Sequence, residues 1–255
     1  GSEELVLAKS CKSASEAIAT VVYFLKYLST APVGVGYIGV PADVLNQEFT
    51  GPIPQLSEKA SAFVNQSKSK TLDLDPVKEL LGGAMKIGIW AGGGATAATS
   101  EIATLSDHLS APIFTSFAGR GVGSSSKNYL NIPIHEIEAE KLLSECEVLL
   151  VFGSQLDGMN TKNWSINFPK KIALIDANPK IALRNISANV VIQRSDLSGV
   201  INQLLGVDGK ANWVDVAQTS SEARKRIAAS DKGKAGMALV DAIEKSWPSE
   251  NNIVC

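Results

Sequence analysis

Three consecutive glycines, Gly92, Gly93 and Gly94, follow the apolar run at 86–91 and precede a stretch in which Ile102, Leu105 and Leu109 fall at helical spacing. Strand, glycine turn and helix together form a natural phosphate cradle. Glycine lets the backbone approach an anion closely, and the N–H groups and dipole of a helix start favour negative charge. Further candidates stand at the ends of other apolar runs. Asp176 suits a ribose hydroxyl pair, and equally a cap for the turn at Asn178-Pro179. Asp196 reads first as the N-cap of a helix at 197–205, with an adenosine contact as the alternative. Thr115, Gly153 and Ser154 complete the set of candidate nucleotide-binding residues. The competing reading of the glycines is a tight turn required by packing alone.

Other chemistries find no support in the spacing. His108 and His135 are far apart, and no cysteine or carboxylate accompanies either at metal-ligand spacing. Ser116, Ser124, Ser125 and Ser126 lie in a Gly/Ser-rich stretch without a nucleophile elbow. Arg120, in the same stretch, reads as a solvent-facing loop residue rather than a phosphate ligand. The four tryptophans are scattered and suit packing. No catalytic residue and no metal ligand is assigned.

The elements that must position the glycine turn alternate regularly. Strands are expected at 34–40, 86–90, 112–115, 148–152, 171–175 and 190–193. Helices are expected at 13–28, 55–67, 76–81, 95–109, 136–144 and 197–205, with a helical turn at 179–184. Ser13 or Ser15 can cap the first helix. A linker at 46–55 carries prolines, 67–71 is polar, and 116–131 is a long, mobile loop. Residues 211–248 read as helices with a linker near 232–236, and 251–255 as the start of a strand. Alternation of this kind predicts an α/β fold: a doubly wound, Rossmann-like parallel sheet with helices on both faces, plus flanking helical segments. Ligands of such sheets sit at the carboxyl ends of the strands, where the candidate residues gather.

The 255 residues carry a net charge of −2, which gives no electrostatic reason to expect nucleic acid or an anionic membrane as partner. No apolar run is long enough to span a bilayer. Three cysteines without CxxC spacing read as reduced thiols, and a cytoplasmic location is expected. Both ends read as cut from a longer chain.

Several segments, in order, resemble the thiamine diphosphate (thiamine pyrophosphate, TPP) enzymes. Pro32-Val-Gly-Val-Gly-Tyr-Ile-Gly-Val-Pro-Ala-Asp-Val-Leu45 resembles the end of their pyrimidine-binding domain. Trp90-Ala-Gly-Gly-Gly-Ala95, Ala111-Pro-Ile-Phe-Thr-Ser116 with Gly119-Arg-Gly121, Leu150-Val-Phe-Gly-Ser154 and Leu174-Ile-Asp-Ala-Asn-Pro179 resemble the central domain of the acetolactate synthase, pyruvate decarboxylase and benzoylformate decarboxylase group. Residues 236–255 resemble the first helix and strand of the pyrophosphate-binding domain.

The resemblance implies four regions: residues 1–46 as the end of a pyrimidine-binding domain, 47–70 as linker, 71–207 as the central domain, and 208–255 as linker plus the start of a pyrophosphate-binding domain. It implies a parent that forms or cleaves a carbon–carbon bond next to the carbonyl of a 2-keto acid. Thiamine diphosphate and magnesium would serve the parent at sites outside this chain. The family's early glutamate is not matched, and no Gly-Asp-Gly metal motif occurs in the sequence. The fragment alone is therefore expected to be inactive. Flanking domains and a homo-oligomeric parent are the implied partners. Central domains of this group bind FAD in acetolactate synthases and pyruvate oxidases, ADP in oxalyl-CoA decarboxylase, and nothing in many decarboxylases. One departure weighs against FAD: Gln155 stands where flavin-binding members carry a contacting arginine, and it brings no charge. The alternative is a stand-alone nucleotide- or dinucleotide-binding module of the flavoprotein or NAD-binding type.

Overall fold

A computed structural model describes residues 5–28, 35–52, 54 and 72–246. The expected helix at 55–67, the polar stretch at 67–71 and the strand start at 251–255 lie outside the described residues.

The first unit is a small βαβ element. Strand β1 (Leu5–Ser10) pairs in parallel with β2 (Val35–Gly39), and α1 (Ala14–Leu28) connects them. Ser13 caps α1, its hydroxyl accepting the Glu16 N–H at 3.2 Å. Phe24 and Thr20 are buried beneath the helix. A short helix, α2 (Ala42–Leu45), follows Pro41. Neither β1 nor α2 is among the sequence expectations. The run Leu5-Val-Leu-Ala carries a strand's apolar character, but it lacks turn residues to bound it.

The second unit begins with α3 (Asp75–Gly82), whose Pro76 sits in the first turn where its missing N–H costs nothing. Five strands follow: β3 (Ile87–Ala91), β4 (Ile113–Thr115), β5 (Val148–Phe152), β6 (Lys171–Asp176) and β7 (Val190–Gln193). Their order across the sheet is β4-β3-β5-β6-β7, with every pairing parallel. Helices α4 (Thr99–Leu109), α5 (Ile137–Glu145) and α6 (Leu197–Leu204) make the connections and closure.

Side-chain alternation divides the core into two layers. Ile87, Ile89 and Ala91 of β3 and Val148, Leu150 and Phe152 of β5 pack with α3, α4 and α6 on one face. Trp90, Leu149, Val151 and Leu174 pack on the other face with Leu142 and Leu143 of α5. This is the doubly wound parallel sheet with helices on both faces that the alternation predicts.

Helix α7 (Val216–Ala229), capped by Asp215 through the Gln218 N–H at 2.9 Å, adds Val216 and Ala223 to that second layer. Arg226 ties it to α5, its Nε donating to Glu138 at 2.8 Å and a guanidinium nitrogen contacting Glu136. Helix α8 (Asp231–Ser246) follows after the single residue Ser230. The linker expected near 232–236 is thus corrected: those residues are helical. Ser230 makes the break instead, its hydroxyl accepting the Gly233 N–H at 3.1 Å. The stretch 116–131, expected as a mobile loop, is tied down in the structure. Ser126 donates to Asp107 at 2.7 Å, Thr99 accepts the Gly123 N–H at 2.9 Å, and Tyr129 bridges to Ile113 beside β4. Among the described residues no helix is long and apolar enough to cross a membrane.

Candidate functional site

The chain steps from β3 to β4 on one side and then crosses to β5 on the other. The direction of winding therefore reverses between β3 and β5, and the crevice at the carboxyl ends of these strands is the expected ligand position. Gly92 extends β3, Thr115 ends β4, Gly153 and Ser154 follow β5, and Asp176 ends β6. All but Asp196 thus lie directly at strand ends. Asp196 precedes α6, which packs against α4 and the turn of 3₁₀ helix at Gly93–Ala98.

Backbone polar groups at the glycine turn are largely engaged. The Gly92 N–H donates to the Phe152 carbonyl at 2.9 Å, and the Gly94 N–H to the Gly153 carbonyl at 3.0 Å. The Ala95 N–H closes the turn on the Gly92 carbonyl at 3.0 Å. The helix expected from 95 begins only at Thr99, because Gly93–Ala98 winds as the tighter 3₁₀ form. Thr96 stabilises that turn, its hydroxyl donating to the Gly93 carbonyl at 2.8 Å.

Hydroxyls and carboxylates of the set divide into engaged and open. Ser154 Oγ accepts from the Trp90 indole at 3.1 Å and from the Leu156 N–H at 3.2 Å, so it joins the core to the loop after β5. Asp196 caps α6 through the Gly199 N–H at 3.3 Å, the first of its two expected roles. Asp176 accepts the Asn178 N–H at 2.6 Å, the turn-capping geometry, and burial raises its carboxyl pKa above the usual range. Thr115 is only 3 % exposed, and its hydroxyl finds no hydrogen-bond partner among the described residues. Arg120 is exposed, as its loop position suggests.

The sequence reading missed the loop after β5 as a structural partner of the site. Asp157 gathers the N–H groups of Met159 and Asn160 at 2.9 and 3.1 Å, and the Asn160 amide at 2.6 Å. Asn160, itself buried, then accepts the Phe117 N–H at 2.8 Å and joins the ends of β4 and β5. The Asp157/Asn160 spacing is the legible signal, a local side-chain-to-backbone turn. Farther along, Lys162, Asn163 and Trp164 all adopt positive φ, from 51° to 60°. Each costs roughly 1–2 kcal/mol as a non-glycine residue. Two bonds restrain the run: Trp164 N–H to Thr161 Oγ1 at 3.0 Å, and the Trp164 indole to the Leu156 carbonyl at 2.8 Å.

The family model for the thiamine pyrophosphate enzyme central domain matches residues 74–204, more than half of the chain. The chain belongs to this family. No curated protein matches it. As the central domain of a TPP-dependent enzyme, it works alongside other domains of its parent, and thiamine diphosphate is the parent's cofactor. The matched span runs from the start of α3 to the end of α6 and includes every candidate residue. Among the described residues of this TPP-enzyme domain, no group of His, Cys, Asp and Glu could hold a metal ion.

Proposed function

We propose that this chain supplies the architectural central domain of an enzyme that forms or cleaves carbon–carbon bonds of 2-keto acids, in the manner of acetolactate synthases or the related decarboxylases. Thiamine diphosphate, when bound in the parent, supplies the electron sink for a carbanion next to the carbonyl. This chain's residues contribute position rather than chemistry. The observation that supports the reading is the glycine turn after β3, where the Gly92 and Gly94 amides bond to the end of β5 and the Ala95 amide to the turn itself, so that three of its donors already have protein acceptors. In this reading residues 1–46 close a pyrimidine-binding domain, 47–70 link, 71–207 form the central domain, and 208–255 lead into a pyrophosphate-binding domain. Magnesium and a homo-oligomeric assembly belong to the parent in the same reading.

A second reading, an FAD or ADP site on this domain, has its own support. The half-buried Asp176 carboxylate and the unpartnered Thr115 hydroxyl both stand at strand ends. Asp176 is suited to a ribose hydroxyl pair, and a buried hydroxyl without a partner gains from any group that satisfies it.

Two assays test the proposal. The full-length parent should consume 2-keto acids such as pyruvate only when thiamine diphosphate and magnesium are supplied; cofactor-independent turnover, or none with any 2-keto acid, contradicts it. The purified chain should be colourless and should melt at the same temperature with or without ADP. Flavin absorbance, or a rise in Tm with ADP through binding linkage, favours the second reading.

A further inference from the structure

We infer that the glycine turn after β3 is a backbone lock closed to a nucleotide diphosphate, an inference that deepens the architectural reading and rests on it. A diphosphate seated at a strand–turn–helix junction needs free N–H donors and room for two phosphoryl groups. Here the donors of Gly92, Gly94 and Ala95 already have carbonyl acceptors at 2.9 to 3.0 Å. An anion would have to displace these bonds or rely on the N–H of the exposed Gly93, the one donor of the turn without a backbone acceptor among the described residues.

Space argues the same way. A Cβ on Gly92 would lie 2.2 Å from the Gly153 carbonyl oxygen and 2.6 Å from Ser154 Cα. A Cβ on Gly119 would lie 2.3 Å from the Ala91 carbonyl oxygen, and one on Gly153 would lie 2.5 Å from the Gly94 carbonyl carbon. Turns from β3, β4 and β5 therefore meet backbone against backbone. The contacts fix glycine on the protein-facing side of the turn, while Gly93 and Gly94 stay exposed on its outer side. Gly153 adds a second requirement, since its φ of 57° is a conformation side chains rarely adopt. The dipole argument weakens as well, because α4 starts at Thr99, beyond the 3₁₀ segment. Contact among the turns requires glycine at 92, where a Cβ would strike the Gly153 carbonyl, and leaves little room at 93 and 94, where a Cβ would lie 3.0 Å from the Ala118 methyl and 3.1 Å from Gly153 Cα.

The test follows the Gly92 and Gly94 amides of the intact chain by hydrogen exchange, alone and with FAD or ADP added to about 1 mM, a range that reaches weak sites. The lock predicts exchange slowed by about a hundredfold or more in the free chain, unchanged by either nucleotide. A nucleotide that raises Tm and slows these two amides no more than the other core amides supports the lock while overturning the ligand-free reading of the domain. Near-unprotected exchange in the free chain, or slowing of these two amides beyond that of the other core amides on adding a nucleotide, overturns the lock.

Discussion

The two parallel sheets among the described residues are built on the same βαβ logic and covered very differently. Every residue of β3 and β5 is buried, and Trp90 is 0 % exposed. No residue of β2 is fully buried, and Tyr37 is 60 % exposed. Parallel sheets are stable when helices cover both faces. The central sheet meets that condition among its own elements. The β1–β2 pair has α1 on one side and leaves Tyr37 and Val35 in solvent. The difference teaches where folding free energy resides: the central unit carries its own core, while the first unit buries little of β2 among the described residues.

Substitutions can break or sharpen this contrast. Trp90→Ala removes a fully buried indole together with its bond to the Ser154 hydroxyl, and should cost about 3–5 kcal/mol in urea unfolding. Tyr37→Ala, its counterpart on β2, should stay within about 0.5 kcal/mol. Equal losses would erase the contrast. Gly153→Ala should cost about 3 kcal/mol, because the new Cβ meets the Gly94 backbone at a strained φ; an unchanged denaturation midpoint would show that the turns can part freely. Asp196→Ala removes the α6 cap and should lower stability by about 1 kcal/mol.

The smallest expected effect is a pH slope. Burial raises the Asp176 pKa, so the folded chain holds that proton more tightly than the unfolded one. Its contribution is therefore most favourable at low pH and is lost as pH rises from the ordinary carboxylate range through the raised folded value. Glu138, held low by Arg226, acts in the opposite sense: its contribution is present above the ordinary range and lost as pH falls. The difference in denaturation midpoint between the native chain and Asp176→Asn, followed from about pH 4 upward, isolates the first slope. A difference independent of pH would contradict it.

Much of this fold was legible because burial on both faces leaves short, continuous apolar runs. Residues 148–152 could be little else than a central strand, and their place between glycine turns and helices predicted the winding. The candidate residues were legible as strand-end positions for the same reason. What they do there was not. The bond from Gly94 to Gly153, and the approach of Gly119 to Ala91, join segments distant in sequence, and no local pattern announces them. Gly233 and Gly236 suggested a break in the last segment, yet the capping hydroxyl of Ser230 places the junction earlier and lets the glycines continue as helix. The strand at Leu5–Ser10 went unread because it is recognisable chiefly through its pairing with β2.

The central claim, a self-contained platform whose neighbours belong to other parts of a thiamine enzyme, is tested most directly by thermal unfolding of residues 72–230 expressed alone. That span keeps α3 through α7 and both core layers. The account predicts one cooperative transition within a few degrees of the melting temperature of the full chain. A span that fails to fold, or that melts without cooperativity, would contradict it.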